Sequence, residues 1–274
     1  MPGAQECPMN KSVILVTGAS AGIGRKCATH LASAGWTVIG ASRRGTSGDS
    51  WRGVPLDVDR DDSVERAFEI VDAEYGRLDA VLACAGWGLA GAAERTPLED
   101  AKAQFETNFW GAVRVVNATL PRLRERGGGH LVLMSSVGGI LGIPYQAFYS
   151  ASKFALEGYA ESLAYEVAPF NVHVTLVEPG NFKTDFTAVR RKVELSADDP
   201  YRAACEKAIT VMERDEVNGA DPAKVARVVE KILHSTNPPR RVSVGKIDER
   251  MGIMGKRLLP FRLFERAARS SLGV

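Results

Sequence analysis

Tyr149 and Lys153 stand four residues apart in the stretch YSASK, and Ser136 precedes the tyrosine by thirteen residues. Residues at i and i+4 share a helix face, so the phenol and the ammonium can point into one site. A free tyrosine titrates near ~10 and is a poor acid at neutral pH. A lysine cation beside it favours the phenolate and lowers that pKa, moving the phenol toward general-acid work. A serine hydroxyl upstream can hydrogen-bond the substrate oxygen that the tyrosine protonates. Taken alone, the pattern also suits a buried strand, a Gly-rich turn and an ordinary amphipathic helix. What the rest of the chain builds around it decides between the two.

The elements that must position this set follow in order. Residues 1–11 read as a disordered lead-in. Residues 12–17 (SVILVT) form a continuous β-branched run, the mark of a strand buried on both faces. Gly18, Ser20, Gly22, Ile23 and Gly24 then open a helix running to about residue 34. A Gly-rich turn between a buried strand and a helix N-terminus is a phosphate cradle, because free amides and the helix dipole favour an anion. Its spacing is GxxxGxG rather than GxGxxG. Further strands are predicted over 36–41, 54–56, 78–84, 130–134, 172–177 and 241–244. Helices are predicted over 63–75, from Thr96-Pro97 to about 126, from Tyr149 to about 169, and from Asp221-Pro222 to about 234. This alternation predicts an α/β fold, one doubly wound parallel sheet with helices on both faces, over residues 12–245. Between 181 and 219 the apolar periodicity fades, and one or two short helices in mobile loop are expected there, as a lid or as a surface insertion. The tail from Arg240 carries nine Lys/Arg against three Asp/Glu. Over 246–274 it reads as a subunit contact, a membrane-surface patch or a helix packed on its own domain, the last being the default.

Composition narrows the function. The 274-residue chain is 45% hydrophobic and 25% charged, ordinary values for a globular protein with a substantial core. A net charge of +2, with no interleaved basic and aromatic patch, makes no case for nucleic acid. Cys7, Cys27, Cys84 and Cys205 are widely spaced with no CxxC pair, which argues against a metal site or a disulfide framework and for reduced thiols. The stretch MPGAQECPMNK lacks the apolar run of a signal peptide, and no segment is long and apolar enough to span a bilayer. A soluble, cytoplasmic protein is expected, with peripheral membrane contact left open by the tail.

With the Gly-rich turn, Ser136, Tyr149, Lys153 and Asn108 in order, the sequence resembles the short-chain dehydrogenase/reductase family over residues 12–245. SVGGILGIP followed by YSASKFALEG is most similar to its hydroxysteroid and retinol dehydrogenase branch. The resemblance implies a Rossmann-type fold and roles for particular residues. Tyr149 becomes the acid/base, Lys153 binds the nicotinamide ribose, Ser136 holds the carbonyl oxygen, and Asn108 anchors a water in a proton relay. Gly18, Ser20, Ile23 and Gly24 line the pyrophosphate, and Asp57 and Val58 meet the adenine. Ala85 and Gly86 approach the cofactor through backbone, and Pro179, Gly180 and Thr184 contact the nicotinamide. A homodimer or homotetramer paired through the helix after Ala101 and the helix after Tyr149 is implied as well. Ala83-Cys84 departs from the family's paired asparagines, and Ala21 stands where many NADP-dependent members carry a basic residue.

Cofactor and substrate follow from local chemistry. After the second strand come Ser42-Arg43-Arg44, where an NAD site would carry an acidic residue. An arginine fork at Arg43 suits a 2′-phosphate, so NADPH is expected over NADH. Trp87 after the fourth strand and Ile143 and Tyr145 before the catalytic tyrosine are apolar, and Phe182 and Phe186 enter the lid. These predict a bulky, uncharged ketone or aldehyde. The alternatives are a freestanding 3-oxoacyl or polyketide ketoreductase and, in another class, a non-catalytic NADP-binding regulatory protein.

Overall fold

The computed structural model describes residues 11–273, so the lead-in expected over 1–11 lies, but for Lys11, outside the described residues. Val13–Thr17 (β1) is buried at all five positions, as an apolar run with no polar side requires. After it come α1 (Gly22–Ser33), β2 (Thr37–Ser42), β3 (Arg52–Pro55), α2 (Asp61–Tyr75), β4 (Ala80–Ala83) and a short β5 (Leu89–Ala90). The chain continues through α3 (Leu98–Phe105), α4 (Gly111–Arg126), β6 (Gly129–Met134), α5 (Ala147–Val167) and β7 (Val172–Pro179). It closes with α6 (Phe186–Val189), β8 (Arg191–Lys192), α7 (Arg202–Val217), α8 (Ala223–Leu233), β9 (Arg241–Val244), α9 (Ile247–Leu258) and α10 (Phe261–Leu272).

Seven strands form one sheet in the order β3-β2-β1-β4-β6-β7-β9, every pairing parallel. Val64 and Phe68 of α2, Val115 and Leu123 of α4, and Leu156 of α5 cover one face. Cys27 and Leu31 of α1 with Val225 and Val229 of α8 cover the other. From β1 the chain winds outward to β2 and β3, then returns to lay β4 on the opposite side. The loops after β1 and β4 therefore diverge, and a crevice opens at the carboxyl ends of the strands. Gly40 in β2 is required by packing, since a side chain there would meet the ring of Trp51.

Two features differ from expectation, the helix from Thr96 and the lid region. The helix predicted from Thr96 is interrupted: a π-turn over Glu106–Trp110 separates α3 from α4. Thr96 does not cap it; its hydroxyl donates to the Ala92 carbonyl at 2.9 Å, and Pro97 occupies the cap position. The lid region is more regular than a mobile loop. It contains α6, β8 paired to β5, and the sixteen-residue α7, whose Cys205, Ala208, Ile209 and Met212 pack with Ala90 and Leu272. Those four lie at i, i+3, i+4 and i+7, a narrow helical stripe diluted by charged neighbours. The basic tail forms the helical pair α9–α10, with Ile253 and Leu272 buried.

Candidate active site

The β1–α1 turn fits an anionic cofactor. Gly18 has φ +69°, and a Cβ there would lie 3.0 Å from the Ala85 Cα, so a side chain is excluded both by conformation and by space. Ala21, at the α1 cap, makes no side-chain cap bond, and the first-turn amides are left for a ligand. Across the crevice the Thr17 hydroxyl accepts from the backbone N–H groups of Cys84 (3.0 Å) and Ala85 (3.1 Å). One buried threonine thus ties the end of β1 to the end of β4, where the sequence lacks two asparagines. At the tip of β2, Ser42 is buried with its hydroxyl unpartnered, and Arg43 beside it is exposed on the cavity wall. An orphaned hydroxyl and a free guanidinium at that point suit a ribose and its phosphate.

The expected catalytic residues converge from β6 and α5. Ser136 leaves the end of β6 and caps a 3₁₀ turn, its Oγ accepting from the Gly138 amide at 3.0 Å. Tyr149 is buried, and its ring packs edge-on to Phe186 with centroids 5.9 Å apart. Burial raises the phenol above its ordinary value, opposed by a hydrogen bond with Ser136, with Glu216 raising it further and Arg190 lowering it. Lys153 is also buried, and its Nζ donates to the Met134 carbonyl at 2.8 Å. Burial lowers the lysine to about 8, against the upward pull of Cys84 and Glu157. In this arrangement the Lys153 ammonium is directed at the Met134 carbonyl, and the phenol is shifted mainly by its burial.

Asn108 sits in the π-turn, an irregularity that often accompanies function, yet its side chain belongs to the wall. Its Oδ1 accepts from the Trp87 amide at 3.0 Å, and its Nδ2 donates to the Trp87 carbonyl at 3.1 Å and to Ser152 Oγ at 3.3 Å. Gln104 Nε2 donates to the same carbonyl at 2.7 Å. Trp87 is thereby fixed by backbone on two sides, while its indole donates to Thr107 and stacks under Arg191.

A single cavity of about 870 Å³ joins these parts. The cofactor candidates Gly18, Ser20, Ile23, Gly24 and Arg43 line it, as do Asp57, Val58, Ala85 and Gly86. On the other rim lie Ser136, Tyr149, Lys153, Pro179, Gly180 and Thr184. Of the substrate candidates, Trp87, Ile143, Phe182 and Phe186 line it. Tyr145 does not. It has φ +61° and packs instead against the Ala90–Cys205–Leu272 cluster, because the positive φ turns it toward α7. Asn108 likewise stands behind the lining.

The lining also contains residues that the sequence reading missed. Met212 of α7 in the lid region, and Phe264, Ala267, Ala268 and Leu272 of α10 in the tail, supply apolar wall. Asp185, Asp215, Glu216, Asp248 and Glu249 bring carboxylates to a pocket expected to hold none for a substrate. Glu216 is anchored: it pairs with the buried Arg190 and accepts from Thr187 Oγ1 at 2.6 Å. The i, i+3, i+4, i+7 and i+8 spacing of Phe264, Ala267, Ala268, Ser271 and Leu272 was the available signal for α10.

A doubly wound parallel sheet with an anion cradle at its switch point, and a Ser–Tyr–Lys set with its tyrosine and lysine buried across the same crevice, defines a Rossmann-type oxidoreductase. Residues 12–194 match the short chain dehydrogenase family, and the chain belongs to that family. It is 40% identical over 263 residues to a 3-ketodihydrosphingosine reductase of Bacteroides thetaiotaomicron, covering 95% of this chain and 98% of that one. Retinol dehydrogenase 8 of Homo sapiens is 34% identical over 256 residues, covering 83% and 79% of the two chains. The crystal structure of a short-chain dehydrogenase from Streptomyces avermitilis superposes with a TM-score of 0.81 at 35% identity, covering 95% of this chain and 98% of that one.

Proposed function

We propose that this protein is an NADPH-dependent reductase of a long-chain or otherwise bulky apolar ketone. The observation that carries the reading is the continuity of one cavity from the Gly-rich turn, past Ser136, Tyr149 and Lys153, to an apolar end walled by Phe186, Met212, Phe264 and Leu272. When bound, the nicotinamide cofactor supplies the hydride that the carbonyl carbon receives. Tyr149 Oη gives its proton to the carbonyl oxygen, and Ser136 Oγ holds that oxygen by a hydrogen bond. Lys153 holds the ribose and stabilises the phenolate left behind, and Asn108 braces the Trp87 wall beside them. The protein's share of the catalysis is alignment and exclusion of water.

The similarity to a 3-ketodihydrosphingosine reductase supports an apolar chain on the substrate. The carboxylates at Asp185 and Asp248, unlike Asp215 and Glu216 with their arginine partners, are left to suit an uncharged or cationic head group and to repel a phosphorylated or carboxylated one. They also disfavour a 3-oxoacyl group delivered on a phosphate-bearing carrier. A homo-oligomer completes the reading, supported by the exposed Trp110, Phe154 and Tyr165 on the α4–α5 side.

NADPH oxidation followed with 3-ketodihydrosphingosine and a graded ketone series tests the proposal. kcat/KM is expected to rise with apolar length, and Trp87→Ala to flatten the rise, since each buried methylene contributes only about 0.8 kcal/mol. A best substrate that is small, phosphorylated or carboxylated overturns it.

A further inference from the structure

The α9–α10 pair has an outer face that its own domain does not cover. Among the described residues, seven of the fifteen exposed large apolar side chains lie between Ile247 and Leu263, so the exposure is concentrated rather than scattered. Ile247, Met251, Met254 and Leu258 succeed one another by four, three and four residues, forming one stripe along α9 in which each is at least 60% exposed. Leu259, Phe261 and Leu263 extend it through the turn into α10. The buried side of α9 is the opposite one, carrying Ile253 and Glu249. The stripe is flanked by positive charge. Arg250 and Arg257 border it on α9, and Arg262, Arg266 and Arg269, spaced by four and three, lie exposed on α10. Two of the pair's three acids, Asp248 and Glu249, line the cavity instead.

The same helices carry the cavity wall on their inner side. Ala267 and Ser271 are both exposed and part of the lining, so the cavity reaches the surface along α10. We propose that the outer face of α9–α10 docks on an anionic lipid bilayer, seating this rim of the cavity against the membrane, from which an apolar substrate enters. The entry half of the proposal rests on the apolar-substrate reading above; the docking half does not. An apolar stripe flanked by arginines is the composition of a helix lying in the plane of a charged interface. A second copy of the chain is a poorer occupant. A two-fold contact sets each patch against its own copy, and five arginines would then face five of like charge.

Flotation of the full chain with phosphatidylcholine vesicles containing or lacking phosphatidylglycerol tests the docking. Binding is expected with phosphatidylglycerol, weak without it and reduced by salt. Met251→Glu/Leu258→Glu/Phe261→Glu and, separately, Arg257→Glu/Arg262→Glu should each lower the partition by at least about tenfold, since each basic residue near the surface contributes about 1 kcal/mol. Both should leave turnover of a short water-soluble ketone unchanged, which shows that they fold. No binding by the native chain, or undiminished binding by both variants, overturns the docking. Dimers in sedimentation velocity that the apolar variant abolishes, without vesicle binding, assign the face to a second copy and overturn it equally. Docking without turnover of any long-chain ketone supports the surface and sinks the substrate reading alone. Turnover of a long-chain ketone in detergent by a chain that binds no vesicle does the reverse.

Discussion

Glu249 Oε1 accepts from the Asn181 amide at 2.7 Å, joining the C-terminal helix α9 to the loop that leaves β7 at the crevice. Its other oxygen accepts from the Lys246 amide at 2.7 Å, closing the start of α9. Gly180 permits the contact, since a side chain there would collide with the carboxylate. Glu249→Ala leaves the part-buried Asn181 donor without its partner, at a cost below the about 1–3 kcal/mol of a fully buried group, and returns the exposed Lys246 donor to water. The expected result is a Tm lowered by several degrees and a KM for NADPH raised several-fold, with kcat changed less. Glu249→Gln, which keeps one acceptor, should recover part of both. Unchanged thermal melting and cofactor KM would show the contact to be idle.

Tyr149→Phe removes the proposed proton donor and leaves the ring packed against Phe186. Turnover should fall by at least about a hundredfold, while NADPH binding, read by fluorescence titration, stays near the native value. Residual activity within about tenfold of native, roughly 1.4 kcal/mol of barrier, assigns the proton to another group.

Lys153 offers a pH test. Its folded pKa is lowered by burial to about 8 from an ordinary value of 10.5. Below about 8 both folded and unfolded chains hold the proton, and folding carries the full cost of a buried ammonium. Between that value and the ordinary one the unfolded chain binds more protons, so stability rises with pH. Lys153→Met removes the charge but keeps most of the volume. It should melt higher than the native protein at pH 7 by a few degrees, with the difference shrinking as pH rises through the window above 8. Activity should be lost throughout. A variant that melts lower at pH 7, or a difference that ignores pH, contradicts the burial argument.

Arg43 governs cofactor choice in the proposed reading. It is exposed beside the unpartnered Ser42 hydroxyl, with no acidic side chain at either position. Steady-state comparison should favour NADPH over NADH in kcat/KM. Arg43→Ala should remove most of the preference, about tenfold or more for loss of a charge-assisted bond. Equal use of the two cofactors by the native chain refutes the assignment.

The parallel sheet, its order of elements and the spacing of Ser136, Tyr149 and Lys153 were legible in the sequence. Buried β-branched runs admit few structures, and residues four apart on a helix face the same way whatever surrounds them. The Gly-rich turn was legible for a similar reason, since Gly18 serves a backbone conformation that is local. Other features were decided only when distant segments met. Thr17 meets the Cys84 and Ala85 amides because β1 and β4 are neighbours in the sheet, sixty-seven residues apart in sequence at the Cys84 contact. Asn108 turned out to brace Trp87, and Tyr145 to face α7, because each answers to a partner far along the chain. The cavity's far wall and its carboxylates come from α7, α9 and α10, whose apolar stripes are thin and mixed with charge. Local pattern records what a residue does to its own helix or strand. Which helix closes over the site depends on which surfaces are left to bury once the sheet has formed, and that is set by tertiary packing.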